Sequence, residues 1–148
     1  MLLAGAAVVY ASFSATGTGS GKATAVTARS ITITAASCSA NGDLYPGGPA
    51  AAVCFTLTNP NPYKVSFSSV TYLPSNAAIV ANSASCGASN VSIAAGAPTT
   101  LATPFTVDPG QTSGTLTLPG VIQMVSTAPD GCQGANFDVP ITLNGSQQ

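Results

Sequence analysis

The chain has 148 residues, a length that fits one domain able to bury a real core. Only 5% of its side chains are charged (Lys22, Arg29, Lys64, Asp43, Asp108, Asp130 and Asp138), with no Glu, no His and a formal net charge of −1. That balance excludes a basic nucleic-acid surface and one drawn to anionic membranes, and the lack of His and Glu removes the usual bases for a Ser or Cys nucleophile. Glu, Lys and Gln are absent or scarce, while Thr, Ser, Val, Gly and Ala dominate, a mixture that favours strands and turns.

Residues 1–15 form an apolar, uncharged N-terminal segment. It reads in three ways, which the residues leave open. One is a remnant of a secretory signal, without the basic n-region. Another is a membrane anchor, although Ser12, Ser14 and Thr16 interrupt the run well before the ~20 apolar residues a spanning helix needs. The third is a strand: Val9, Ala11 and Phe13 alternate with Val8, Tyr10, Ser12 and Ser14, giving one apolar face and one mixed face. Residues 16–22 (TGTGSGK) follow as a flexible linker, and residues 23–148 are expected to form a β-sandwich domain.

Within that domain, ATAVTARSITITAAS (23–37) predicts a long strand with a phase break near Arg29 and Ser30. AAVCFTLTN (51–59) predicts a second, with Val53, Phe55 and Leu57 on one face. NPNPY is a tight corner, and KVSFSSVTYL a third strand with a bulge at Ser68-Ser69. Shorter strands are expected around Ile79, from Asn90 to Ile93 and from Thr100 to Val107. TLTL and VIQMVS read as two strands broken at Pro119-Gly120. In ANFDVPITLNG, Phe137, Val139, Ile141 and Leu143 alternate strictly, and Pro140 marks an edge or a bulge. Eight to ten short strands between Gly/Pro turns predict an all-β fold, an antiparallel sandwich of immunoglobulin-like or jelly-roll type.

Cys38, Cys54, Cys86 and Cys132 match no zinc spacing, and their even number points to disulfides in an oxidising compartment. Of three connectivities, Cys38–Cys54 with Cys86–Cys132 ties strand ends to near neighbours. Catalytic residues are not indicated: Asp43, Asp108 and Asp130 sit in turn sequences, and Asp138 lies on the outward phase of the last strand. A calcium site from Asp130 and Asp43 lacks any D-x-D-x-D loop. Tyr45, Tyr63 and Tyr72 offer a carbohydrate-binding surface or, more simply, packing at strand ends. No metal, cofactor or small-molecule substrate is expected.

The opening VVYASFSATGTGSGKATAVTARSITITAAS resembles the N-terminal region of TasA/camelysin-like secreted fibre proteins. LYPGG, FTLTNPNPYKV, APDGCQG and FDVPITL are similar to segments of small secreted β-sandwich proteins of high-GC Gram-positive bacteria. The resemblance implies export, with the membrane met only in transit, and fibres in which one subunit's N-terminal strand completes the next. By position the donor, and so the subunit interface, is Val8, Val9, Tyr10, Ala11, Ser12, Phe13 and Ser14. The expected function is a subunit of an extracellular or cell-surface homopolymer joined by β-strand addition. A monomeric secreted or surface-anchored binding module competes with it, as does a pilin-like subunit with a buried N-terminal helix.

Overall fold

The computed structural model describes residues 20, 22–38, 43–72 and 79–148. Its regular elements are strands, apart from two single-turn 3-10 helices at Ala88–Asn90 and Asp130–Cys132. The strands are β1 (Thr32–Ala36), β2 (Ala51–Thr58), β3 (Val65–Tyr72), β4 (Val80–Ala81), β5 (Val91–Ile93), β6 (Thr100–Val107), β7 (Leu116–Met124), β8 (Phe137–Asp138) and β9 (Ile141–Gln147). They form a four-stranded sheet in the order β1-β2-β7-β5, a three-stranded sheet β6-β3-β9 and a two-stranded ribbon β4-β8. Every pairing among them is antiparallel, so the all-β, sandwich-like class holds.

Strand alternation places the first core. Phe55, Leu57, Leu118 and Val121 project from β2 and β7 onto Val65, Phe67, Val70 and Val107 of β3 and β6. The Phe55 and Phe105 rings meet edge to face at 5.9 Å, in the geometry aromatic quadrupoles prefer. A second core collects Ala51, Ile79, Val91, Ile122 and Met124 around Cys86 and Cys132, which are disulfide-bonded.

Three local expectations change. The long strand over 23–37 shrinks to Thr32–Ala36, because residues 22–30 are exposed and carry no ladder partner. Pro119-Gly120 does not end a strand. β7 runs through it as a bulge, with three residues of β7 set against one of β2 between the pairs Val53↔Leu118 and Ala51↔Ile122. Gly120 at φ 65 supplies the left-handed step, so Leu118 and Val121, three residues apart, face the same core, while Ile122 turns to the second. The expected last strand is split at Val139-Pro140, where a proline cannot donate to a ladder. Its first part pairs with β4 and its second with β3, so the chain changes sheets there. The bulge in β3 falls between Phe67 and Ser69 as the Ser-Ser pair predicted.

Candidate assembly groove and arm root

One end of the sandwich is fastened by two buried asparagines in NPNPY. Asn59 closes β2, and prolines on either side of Asn61 hold the turn extended. The Asn59 amide donates to the carbonyls of Tyr63 (2.8 Å), Val107 (3.1 Å) and Asp108 (3.2 Å). Its Oδ1 accepts from the backbone N–H and the side-chain amide of Asn61. Asn61 in turn grips the incoming chain: its Oδ1 accepts from Arg29 N–H at 2.7 Å and its Nδ2 donates to the Arg29 carbonyl at 2.8 Å. These two bonds replace the ladder that Arg29 lacks. They fix where the arm 22–31 joins the body, beside a cleft walled by Pro60, Pro62 and Pro109. Sequence reading saw only a corner here; the signal it missed was two Asn, each followed by Pro, at the end of an apolar strand.

The side of the sandwich bounded by β1 and β9 is incompletely covered among the described residues. β1 pairs with β2 alone among the described residues, yet Ile33 and Ala35, which stand opposite Leu57 and Phe55, are exposed. The residues they pair with are 0% and 2% exposed, whereas Ile33 is 36% exposed, so the sheet's inner face is closed at β2 and partly open at β1. On the facing side Phe137, Val139, Ile141 and Leu143 keep their alternation but are only half-buried. β9 likewise has one described neighbour, β3. Between the two margins lies an open groove of about 1330 Å³, with Ile33, Ala35, Val53 and Phe55 on one wall and Phe137, Val139 and Ile141 on the other. Among the described residues the three-stranded sheet thus has one strand fewer than the four-stranded sheet it covers.

Both disulfides follow the expected pairing. Cys38–Cys54 staples the chain just past β1 to β2, next to the Ala36↔Cys54 pair, and Cys86–Cys132 crosses the second core. Two disulfides fit an oxidising environment. Among the described residues no helix is long and apolar enough to cross a membrane.

The other candidates are dispersed. Lys64 and Asp108 form an exposed ion pair at 2.9 Å. Asp43 and Asp138 line the groove, and Asp130 opens the 3-10 turn ending at Cys132. No group of three metal-ligating side chains occurs among the described residues. Tyr63 and Tyr72 pack against the first core, and the Tyr72 hydroxyl donates to the Pro98 carbonyl at 2.8 Å. Burial pushes the Tyr72 phenol above its ordinary value. Tyr45 is exposed, its ring lying over Gly48. The donor residues Val8–Ser14, and most of the linker 16–22, lie outside the described residues. No known protein family, curated protein or solved structure matches the chain.

Proposed function

We propose that the protein is a structural subunit of an extracellular filament or surface fibre, assembled as residues 8–14 of one copy enter the groove of the next. The observation that carries this is the polarity of the subunit. The arm is rooted at the Asn61 end of the sandwich; the groove starts beside that root, at Ile33 opposite Leu57, and runs along β2 to the Ala51 end, the groove end, where Asp43 lines it. β2, eight residues and about 25 Å long, separates the Asn61 end from the groove end. A contact joining unlike ends of identical subunits does not close on itself and builds filaments.

A fourth strand beside β9 suits the segment's pattern. Val9, Ala11 and Phe13 lie on one face, able to fill the space between Ile33, Ala35 and the Phe137–Ile141 margin, while the backbone supplies hydrogen bonds to the free edge of β9. Full burial of a Val or Phe is worth about 1.5–3 kcal/mol each, and each backbone hydrogen bond adds about 1 kcal/mol net. Residues 15–28 can span up to about 50 Å, roughly twice the length of β2, so the arm reaches a neighbour. The likeness of the opening residues to TasA/camelysin-like fibre proteins points the same way. In this reading the partner is a second copy of the chain, disulfides and strand donation together stabilise the polymer, and no catalytic step, cofactor or small-molecule substrate is involved. The membrane enters only during export.

Electron microscopy of the purified oxidised chain tests the reading. The full chain should give long regular fibres, and Phe13→Asp should give folded, dispersed particles with an unchanged far-ultraviolet circular dichroism spectrum. Fibres from a chain lacking residues 1–16 would overturn it, as would monomers of the unaltered chain at high concentration, the behaviour of a binding module.

A further inference from the structure

The seven charged side chains all lie within the described residues and are sorted along the molecule. Lys64 and Asp108 neutralise each other at the arm-root end. The remaining cations, Lys22 and Arg29, both belong to the exposed arm. The remaining carboxylates belong to the groove end: Asp43 and Asp138 line the groove, and Asp130 sits beside Cys132, which lines it too. All of these groups are exposed, and none forms an ion pair within the subunit among the described residues. In a chain with so few charges, this separation leaves one positive end and one negative end.

We infer that the groove end docks against the arm-root end of a second copy, with Arg29 of the donor seated at the rim formed by Asp43 and Asp138 of the acceptor. This rests on the strand-donation reading and adds what orients the subunits before the strand zips in. Exposed rim charges give little affinity but steer encounter, and complementary potentials raise association rates about 10–10³-fold. Head-to-head and tail-to-tail encounters bring like charges together and are disfavoured, so charge selects the polarity that strand donation needs.

Arg29 is a clean probe, because its backbone, not its guanidinium, is held by Asn61. The experiment follows elongation of the full chain by light scattering. Between about 0.01 M and about 0.15 M salt the Debye length falls from about 30 Å to about 8 Å, and elongation should slow about tenfold. At low salt Arg29→Asp and Asp138→Arg should each slow elongation about tenfold. The double variant, which restores opposite signs across the contact, should return to within about threefold of the parent. Single reversals that elongate at the parent rate, or a folded double variant that stays as slow as the singles, would overturn the inference. Phe13→Asp separates the layers: if it abolishes fibres while the reversals have no effect, only the charge contact fails. If it elongates normally, strand donation fails and this contact with it.

Discussion

Asn59→Ala is expected to be among the most damaging single substitutions in the domain. Asn59 is fully buried, and its side chain takes part in five hydrogen bonds. Truncation leaves the Val107 carbonyl and the Asn61 N–H without partners in a buried setting, while the Tyr63 and Asp108 carbonyls are closer to solvent. Each stranded buried group costs about 1–3 kcal/mol, so the sum is about 3–5 kcal/mol once partial relaxation is allowed. That is a large part of the roughly 5–15 kcal/mol that holds a domain together. Asn61→Ala should cost only about 1–2 kcal/mol, because the freed Arg29 backbone groups lie at an exposed residue and turn to water. Asn59→Asp keeps the shape but aims a carboxylate at three carbonyl oxygens, which raises its folded-state pKa above the unfolded value. Its stability should therefore be greatest in acid and fall as pH rises through that raised pKa. The chain has no Trp, so urea unfolding of the oxidised Phe13→Asp background is followed by circular dichroism. An Asn59→Ala loss below about 1 kcal/mol with an unchanged urea slope would refute the reasoning, because it would mean that water replaces the amide at no cost.

Three further outcomes follow from the same structure. Mild reductant should open Cys38–Cys54 before Cys86–Cys132, since Cys38 is exposed whereas Cys86 and Cys132 are buried; timed alkylation and mass spectrometry reads the order, and the reverse order would refute it. The separations of 16 and 46 residues put the loop-closure stabilisation near 3 and 4 kcal/mol respectively. Gly145→Ala should destabilise by about 1–3 kcal/mol in thermal melts, because a Cβ there meets the Ser66 carbonyl and lies 2.8 Å from Phe67 Cα, whereas Gly114→Ala, with open space around it, should be neutral. Tyr72 has a folded pKa raised by burial, so its contribution is intact below the unfolded value near 10 and is lost as pH rises through the folded one. Tyr72→Phe should flatten that alkaline loss while costing about 1 kcal/mol at neutral pH through the Pro98 bond.

What was legible in the sequence was whatever follows from alternation and turn chemistry. The apolar face of β2 emerges from period-two patterning and Thr100–Val107 as a candidate strand between turns, and the disulfide pairing follows strand-end adjacency. The failures share one cause, competition for backbone hydrogen bonds between distant segments. Nothing local to Arg29 announces that Asn61 will take both its N–H and its carbonyl and so keep residues 22–31 out of the sheet. Nor does Pro119-Gly120 reveal that strands on both sides of β7 will hold it through the bulge. The groove was half visible: the Phe137–Leu143 alternation marked an inward face, but only the strand order shows that no described strand pairs with the outer side of β9.

Scarce charge, an odd feature for a lone domain, makes sense beside that partly open groove. Single domains discourage edge pairing with Lys, inward charges or covered edges; here the groove margins carry no Lys, and the charges that line the groove are the two carboxylates Asp43 and Asp138. β1 has two exposed faces and is nevertheless held at both ends, by the Asn61 grip before it and the Cys38–Cys54 staple after it. A strand with so little burial of its own gains nothing for the isolated subunit from being fixed this firmly. It gains a purpose if it is the fixed wall against which an incoming strand packs, because a wall ordered in advance spares the complex the entropy of ordering it on binding. On the proposed assembly, the two clamps present a partly exposed strand to an incoming one, and the alternating Val9, Ala11 and Phe13 are the segment proposed to fill the groove.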